Sequence, residues 1–217
     1  FSLAPESIIS EFIAGKIKNY YNRNASVIYP PVDTKKFFYD PKSHTPNPKS
    51  YYLAIGRLLH YKRFDLVIDA FAKLGLPLKI VGSGPEEQRI KSQVSSFKNI
   101  ELVPFINNEQ ELRKLYNGAK ALIFPQVEDF GLVAAEAQAC GTPVIAYADG
   151  GALEIIRDSK TGVLFNEQTP ESVIAAVEKF EKNRWNRYNI SRSAQRFSKD
   201  KFKKLIYNQI QELVGEN

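Results

Sequence analysis

The sequence predicts an α/β fold built on a doubly wound parallel sheet. From Tyr51 onward, short apolar runs alternate with longer segments of helical period, the pattern of repeated strand–helix units. A chain of 217 residues with 43% hydrophobic content can bury a full core in one main domain. No internal repeat or low-complexity tract points to another architecture.

Taken in order, Tyr51 to Ile55 reads as the first strand of the sheet. Asp65 to Leu74 follows as a helix, because Leu66, Ala70 and Leu74 share one face. Leu78 to Val81 is the next strand. It runs into the turn Gly82-Ser83-Gly84-Pro85, whose proline stands near a helix start, and then into a polar helix through about Ser95. Ile100 to Val103, Ala121 to Phe124 and Pro143 to Ala146 are further strands, with a helix from Leu132 to Cys140 between the last two. Ahead of the sheet, Ile9, Phe12, Ile13 and Ile17 make a helical stripe, and Ser26 to Tyr29 a strand that ends at Pro30-Pro31. Asp40 to Ser50, with three prolines and two lysines, is a surface loop. At the far end Phe202, Leu205, Ile206, Ile210, Leu213 and Val214 form an apolar stripe on a long helix, wide enough to dock on something.

Thirty Lys and Arg against 24 Asp and Glu leave a net charge of +6. That balance suits an anionic ligand or an acidic membrane face, and equally a modestly basic solvated surface. No basic run interleaved with aromatics marks a nucleic-acid footprint. Cys140 is the only cysteine, which excludes an intramolecular disulfide, fits a reducing compartment and makes it a small apolar filler. No apolar stretch is long enough to span a bilayer, so any membrane contact is expected to be peripheral. The chain opens at Phe1-Ser2-Leu3 rather than at a methionine or a signal peptide, as an excised fragment would.

The chemistry concentrates between Phe124 and Pro143. A strand ends at Phe124, a loop carries Glu128, and a helix opens near Phe130-Gly131. In open α/β sheets ligands bind beyond the carboxyl ends of the strands, and a helix start offers unpaired N–H groups with a partial positive charge. A diphosphate fits there. Gly131 has no Cβ to obstruct close approach, leaving the amides of Gly131, Leu132 and Val133 as donors. Glu136 lies about 7 Å further along the helix at 1.5 Å per residue, where a ribose diol would donate two hydroxyls to its carboxylate. Glu128 would face the sugar on the other side of the phosphates. Taken alone, the two carboxylates read equally as a helix cap and a solvated residue.

A second constellation, Gly56-Arg57-Leu58-Leu59-His60-Tyr61-Lys62, also follows a strand. Arg57 and Lys62 can converge on one anion and stabilise a leaving diphosphate without a metal; the alternative is a basic helix-entry loop on the surface. Gly82 and Gly84 match a dinucleotide fingerprint only weakly, since Glu87 holds the place of its third glycine, and are expected to line the same cleft. His44 and His60 have no partners at a ligand spacing for zinc and read as surface residues. Trp185, Tyr188 and Phe197 read as packing.

Ile28 to Thr34, Gly56-Arg57-Leu58 with Lys62, Gly82-Ser83-Gly84-Pro85, and Glu128 and Glu136 with seven residues between them resemble, in that order, glycosyltransferase family 4, the group 1 glycosyl transferases. The likeness spans about residues 8–183. It implies a GT-B enzyme whose Rossmann-like C-terminal half binds a nucleoside-diphosphate sugar (a UDP-sugar or GDP-mannose), and a retaining, metal-independent transfer with no cofactor beyond that substrate. It assigns the diphosphate to Arg57 and Lys62, the donor sugar to Glu128 and the ribose to Glu136, and places Pro104 and Phe105 near the base. The acceptor domain that precedes this half in such enzymes is expected to lie outside this sequence. Residues 1–31 are read as its exit and linker, 32–183 as the nucleotide-sugar domain, and 184–217 as helices returning toward it. The implied partners are the donor and, through the missing domain, a glycan or lipid-linked acceptor in polysaccharide biosynthesis, at a cytoplasmic location or the inner membrane face. The fragment alone is expected to be inactive in transfer and to self-associate through its two apolar stripes, or to fold its terminal helix back on itself. A glycosidase, a GT-B-like nucleotide-sugar epimerase and a non-catalytic nucleotide-binding module remain alternatives.

Overall fold

The computed structural model describes residues 6–42 and 51–215. His44 and most of the loop expected at 40–50 lie outside them. A small parallel pair, β1 (Glu6–Ile8) and β2 (Ala25–Val27), flanks helix α1 (Glu11–Tyr21). The main sheet then runs through β3 (Tyr52–Ile55), α2 (Phe64–Leu74), β4 (Leu78–Val81), α3 (Glu87–Val94), β5 (Ile100–Val103), α4 (Glu109–Gly118), β6 (Leu122–Phe124), α5 (Leu132–Ala139), β7 (Val144–Tyr147), α6 (Ala152–Ile155), β8 (Gly162–Phe165) and α7 (Pro170–Glu181). Helices α8 (Arg187–Ala194) and α9 (Lys199–Gly215) close the chain.

Six parallel strands stand in the order β5-β4-β3-β6-β7-β8. The chain winds outward from β3 to one edge, then restarts beside β3 at β6 and winds to the other. The gap beyond the ends of β3 and β6 is therefore the topological switch point, where such sheets hold ligands.

Alternation along each strand explains why both faces are covered. Tyr52, Ala54, Ile80, Ile123 and Ile145 enter one core with Phe64, Phe71, Ile90, Val173, Val177 and Phe180, from α2, α3 and α7. Leu53, Val81, Leu122, Phe124, Val144 and Ala146 enter the other with Tyr116, the alanines of α5, Ile155 and Ala194, from α4, α5, α6 and α8.

The strands expected from the sequence recur within a residue or two, and Ser26 to Tyr29 becomes β2 one residue earlier. Helices α4, α6 and α7 and strand β8 have no counterpart in the sequence reading, whereas α8 falls within the helices expected at 184–217. Local signals for two of them exist. Asn108 caps α4 by accepting from the amides of Gln110 and Glu111, with a Glu at the third helical position, and Thr169-Pro170 supplies the cap and first residue of α7.

The flanking segments are tied to the body by polar contacts. Glu154 accepts from the first amides of α1, Glu11 N at 2.9 Å and Phe12 N at 3.0 Å, an acidic side chain at a helix start. Gln209 of α9 accepts from Ser7 and donates to Ser26, so the terminal helix lies along the β1–β2 pair. Phe202, Ile206 and Leu213 are half-buried there, while Leu205, Ile210 and Val214 stay exposed. Helix α8 packs on α5 within the main body. Among the described residues no helix is long and apolar enough to cross a membrane.

Candidate functional site

Three loops meet at the switch point. After β3, Gly56 N donates to Val81 O, Leu58 N to Ser83 O, and Leu58 O accepts from Glu86 N, so the loop bearing Arg57 is laced to the loop after β4. The lacing requires glycine: a Cβ on Gly82 would stand 2.0 Å from Gly56 O, and one on Gly84 would stand 2.6 Å from Leu58 O. The two glycines thus serve close backbone approach.

Beneath these loops lies a cavity of about 540 Å³. Ile55, Val81, Phe105, Ile106, Leu112 and Val133 give it apolar walls; Arg57, the turn Gly82-Ser83-Gly84, Tyr116 and Glu136 give it polar points. Arg57 is exposed and forms no ion pair among the described residues. Glu136 is the cavity's carboxyl group. Burial raises its pKa from 4.5 to about 7, with the nearby charge of Glu109 pushing the same way and the hydrogen bond from Tyr116 opposing. That bond runs from the Tyr116 hydroxyl to Glu136 Oε2 at 3.1 Å.

A second cavity of about 430 Å³ lies on the other side of the α5 start. Glu128, Asp129, Phe130, Gly131 and Leu132 line it together with Tyr61, Pro30 and, from α1, Phe12 and Lys16. Lys62, 9% exposed, forms an ion pair with Glu128 here, and Gln126 Nε2 donates to the same carboxylate oxygen at 3.0 Å. Successive residues of one helical turn face different cavities, Leu132 the second and Val133 the first. The start of α5 therefore divides them. Its N-cap Gly131 supplies no side-chain cap, and the amides of Leu132 and Val133 precede the first intrahelical bonds.

The structure gathers most of the expected residues but arranges several differently. Lys62 is engaged by Glu128, while Arg57 lines the first cavity. Gly131 stands at φ 105°, and a Cβ there would meet Phe124 Cζ at 3.1 Å, so its glycine is required by conformation and packing against the core rather than by ligand approach. The Phe130 ring is 3% exposed, packed against Tyr29 and Phe197, which leaves its backbone for any contact. Phe105 lines the first cavity at 64% exposed, whereas the exposed Pro104 is not among its walls. Tyr116, Gln126 and Gly150-Gly151 were not anticipated. The diglycine backs the Glu128 loop, Gly151 N donating to Glu128 O at 2.8 Å, and a Cβ on Gly151 would stand 2.1 Å from Phe130 O. Two adjacent glycines after a strand were the available signal. Among the described residues no three of His, Cys, Asp and Glu stand together as a metal site.

A doubly wound sheet with polar groups gathered at its switch point places the chain among open α/β proteins of the kind that hold ligands at that crevice. Residues 35–200 match the family of glycosyl transferases group 1, and the chain belongs to that family. It is 28% identical over 195 residues to a GDP-mannose-dependent alpha-(1-6)-phosphatidylinositol monomannoside mannosyltransferase of Mycolicibacterium smegmatis, covering 79% of this chain and 51% of that protein. Among solved structures, sucrose-phosphate synthase of Thermosynechococcus elongatus superimposes with a TM-score of 0.84 at 22% identity, over 97% of this chain and 58% of that one. An Anabaena protein in complex with UDP-glucose does so at 0.81 and 19%, over 96% and 64%. The fold is that of GT-B glycosyltransferases. The chain spans between 28% and 53% of the length of the curated relatives it matches.

Proposed function

We propose that this chain binds the nucleoside-diphosphate sugar for a retaining, metal-independent glycosyltransferase that acts on a glycan or lipid-linked acceptor. One observation carries the reading: the start of α5 stands at the switch point between a cavity lined by Arg57 and Glu136 and a cavity lined by Glu128, whose carboxylate pairs with Lys62. A donor laid across that helix start would put its base among Phe105, Ile106 and Leu112, its ribose diol on Glu136, its diphosphate at the amides of Leu132 and Val133, and its sugar toward Glu128. The relative named for GDP-mannose and the neighbour solved with UDP-glucose support a nucleotide-sugar donor while differing in base and sugar.

In this arrangement the diphosphate takes over Lys62 from Glu128. Lys62 and Arg57 then balance the negative charge that gathers on the leaving diphosphate as the glycosidic bond breaks, while Glu128 is released to accept from sugar hydroxyls. Calorimetry and thermal shift with UDP, GDP, ADP, UDP-glucose, GDP-mannose and the free nucleosides test the reading. One nucleoside diphosphate should stabilise the chain by about 2.7 kcal/mol at a hundredfold excess over its dissociation constant. A panel in which none raises stability more than inorganic diphosphate refutes it.

A further inference from the structure

We infer that Tyr116 is a positioning residue that holds the Glu136 side chain as an acceptor-only carboxylate, and so makes the first cavity select a ribose diol over a 2′-deoxyribose. The inference rests on the donor-binding reading above and deepens it.

Tyr116 is 0% exposed and sits on α4, its ring edge-on to Phe37 at 5.9 Å. Packing fixes the ring, which leaves its hydroxyl one polar neighbour in reach, Glu136 Oε2. A phenol at this depth stays protonated, since burial and the adjacent carboxylate both push its pKa well up, so it keeps a proton to donate to Glu136 Oε2. A carboxyl group that receives a hydrogen bond is favoured in its ionised form, and an ionised carboxylate accepts but does not donate. With one lone pair of Oε2 occupied by Tyr116, Oε1 and the remaining lone pair face the cavity. Two hydroxyls on adjacent carbons match that spacing.

The other charges near the pair are few. Glu109 at the start of α4 opposes ionisation of Glu136, Cys140 lies close to Tyr116 and Glu136 with Arg113 and Arg187 near it, and Arg57 lines the same cavity. None of them donates to Glu136, so the phenol is the group that counters the burial of the carboxylate.

The test is Tyr116→Phe, which keeps the ring and removes the donor. The Glu136 side-chain carbon is titrated by nuclear magnetic resonance without ligand, and affinities for UDP, GDP and their 2′-deoxy counterparts are measured at about pH 7.5 and 9. The titration midpoint should rise by about one pH unit. The preference for the ribose form, about tenfold or more with the carboxylate ionised, should shrink several-fold in the variant at the lower pH, between the two midpoints, and return at the higher, where the carboxylate is ionised in both proteins. A side chain of merely structural importance would lower both affinities together at both pH values and leave the midpoint in place, which overturns the inference. Should Tyr116→Phe not fold, the wild-type Tyr116 ring-carbon resonance must titrate with the same midpoint as Glu136, and independent midpoints overturn it. A wild-type chain that binds neither UDP nor GDP sinks the donor-binding reading itself, whereas normal binding with an unmoved midpoint sinks the role of Tyr116 alone.

Discussion

Replacing Glu136 with Gln should change how the stability of the chain depends on pH, by an amount the structure sets. The carboxyl group titrates at about 7 in the folded chain against 4.5 ordinarily, chiefly because burial penalises its charged form. Below the ordinary value both states hold the proton. As pH rises from there the unfolded chain releases it while the folded chain keeps it, so stability falls until the folded group also ionises near pH 7. At about 1.36 kcal/mol per pH unit this interval caps the loss at about 3 kcal/mol, and solvent reaching the half-buried side chain reduces it to about 2. Glutamine keeps an acceptor for Tyr116 and carries no charge, so the variant should lack this decline and be the more stable protein at pH 8. Guanidinium unfolding of both proteins at pH 5, 6, 7 and 8, fitted with a common slope, measures the difference directly. Curves that run parallel across that range would show that Glu136 is not desolvated as described and would remove the basis for its place in the cavity.

Three further outcomes follow from the same geometry. Ala in place of Arg57 or Lys62 should weaken a nucleoside diphosphate by about tenfold or more, the worth of a charged hydrogen bond, and leave the free nucleoside almost unaffected; equal losses for both ligands in calorimetry would place the cations elsewhere. Glu128→Gln should free Lys62 for phosphate and tighten a bare nucleoside diphosphate several-fold, while removing the added affinity that the attached sugar confers; a weaker diphosphate in titration would mean that the ion pair supports the site instead of competing for it. Gly131→Ala should cost about 1 to 3 kcal/mol in chemical denaturation, since φ 105° disfavours a side chain and Phe124 stands against the new methyl group; an unchanged midpoint would contradict that strain.

The fold was legible where burial on both faces leaves continuous apolar runs, as in Ala121 to Phe124 and Val144 to Ala146. It was less legible at the second half of the sheet. Strand β8 is four residues long and begins with a glycine whose missing Cβ admits Val144 O at 1.9 Å, a requirement that only the neighbouring strand reveals. Helix α8 buries Arg187, which donates to Gly141 O, Ala119 O and Thr142 Oγ1, so a charged residue stands where the apolar pattern calls for an aliphatic one. The site divides the same way. Residues at strand and helix ends, such as Arg57 and Gly131, announce themselves by position, and Glu136 by its spacing from Glu128. The pairing of Lys62 with Glu128 joins residues 66 apart through the order of the strands, and the inward turn of Phe130 depends on Tyr29 and Phe197 from opposite ends of the chain.

The small residues of α5 connect these two levels. Ala134, Ala135, Ala137 and Ala139 are fully buried, with the sheet on one side and α8 on the other. Larger side chains would lift the helix off β6 and β7 and carry its first turn away from the strand ends. At the opposite end Cys140 and Gly141 turn the chain back into β7, held by the Arg187 guanidinium on Gly141 O at 3.0 Å. The helix is therefore fixed in depth and along its axis before any ligand arrives. With alanines and Gln138, which donates to Thr161 Oγ1, on the sides that meet protein, Glu136 is the carboxylate in the helix, and its half-buried side chain opens onto the cavity. The alanine-rich composition that seems merely permissive in the sequence thus holds in place both the amides at the start of α5 and the acceptor one turn beyond them.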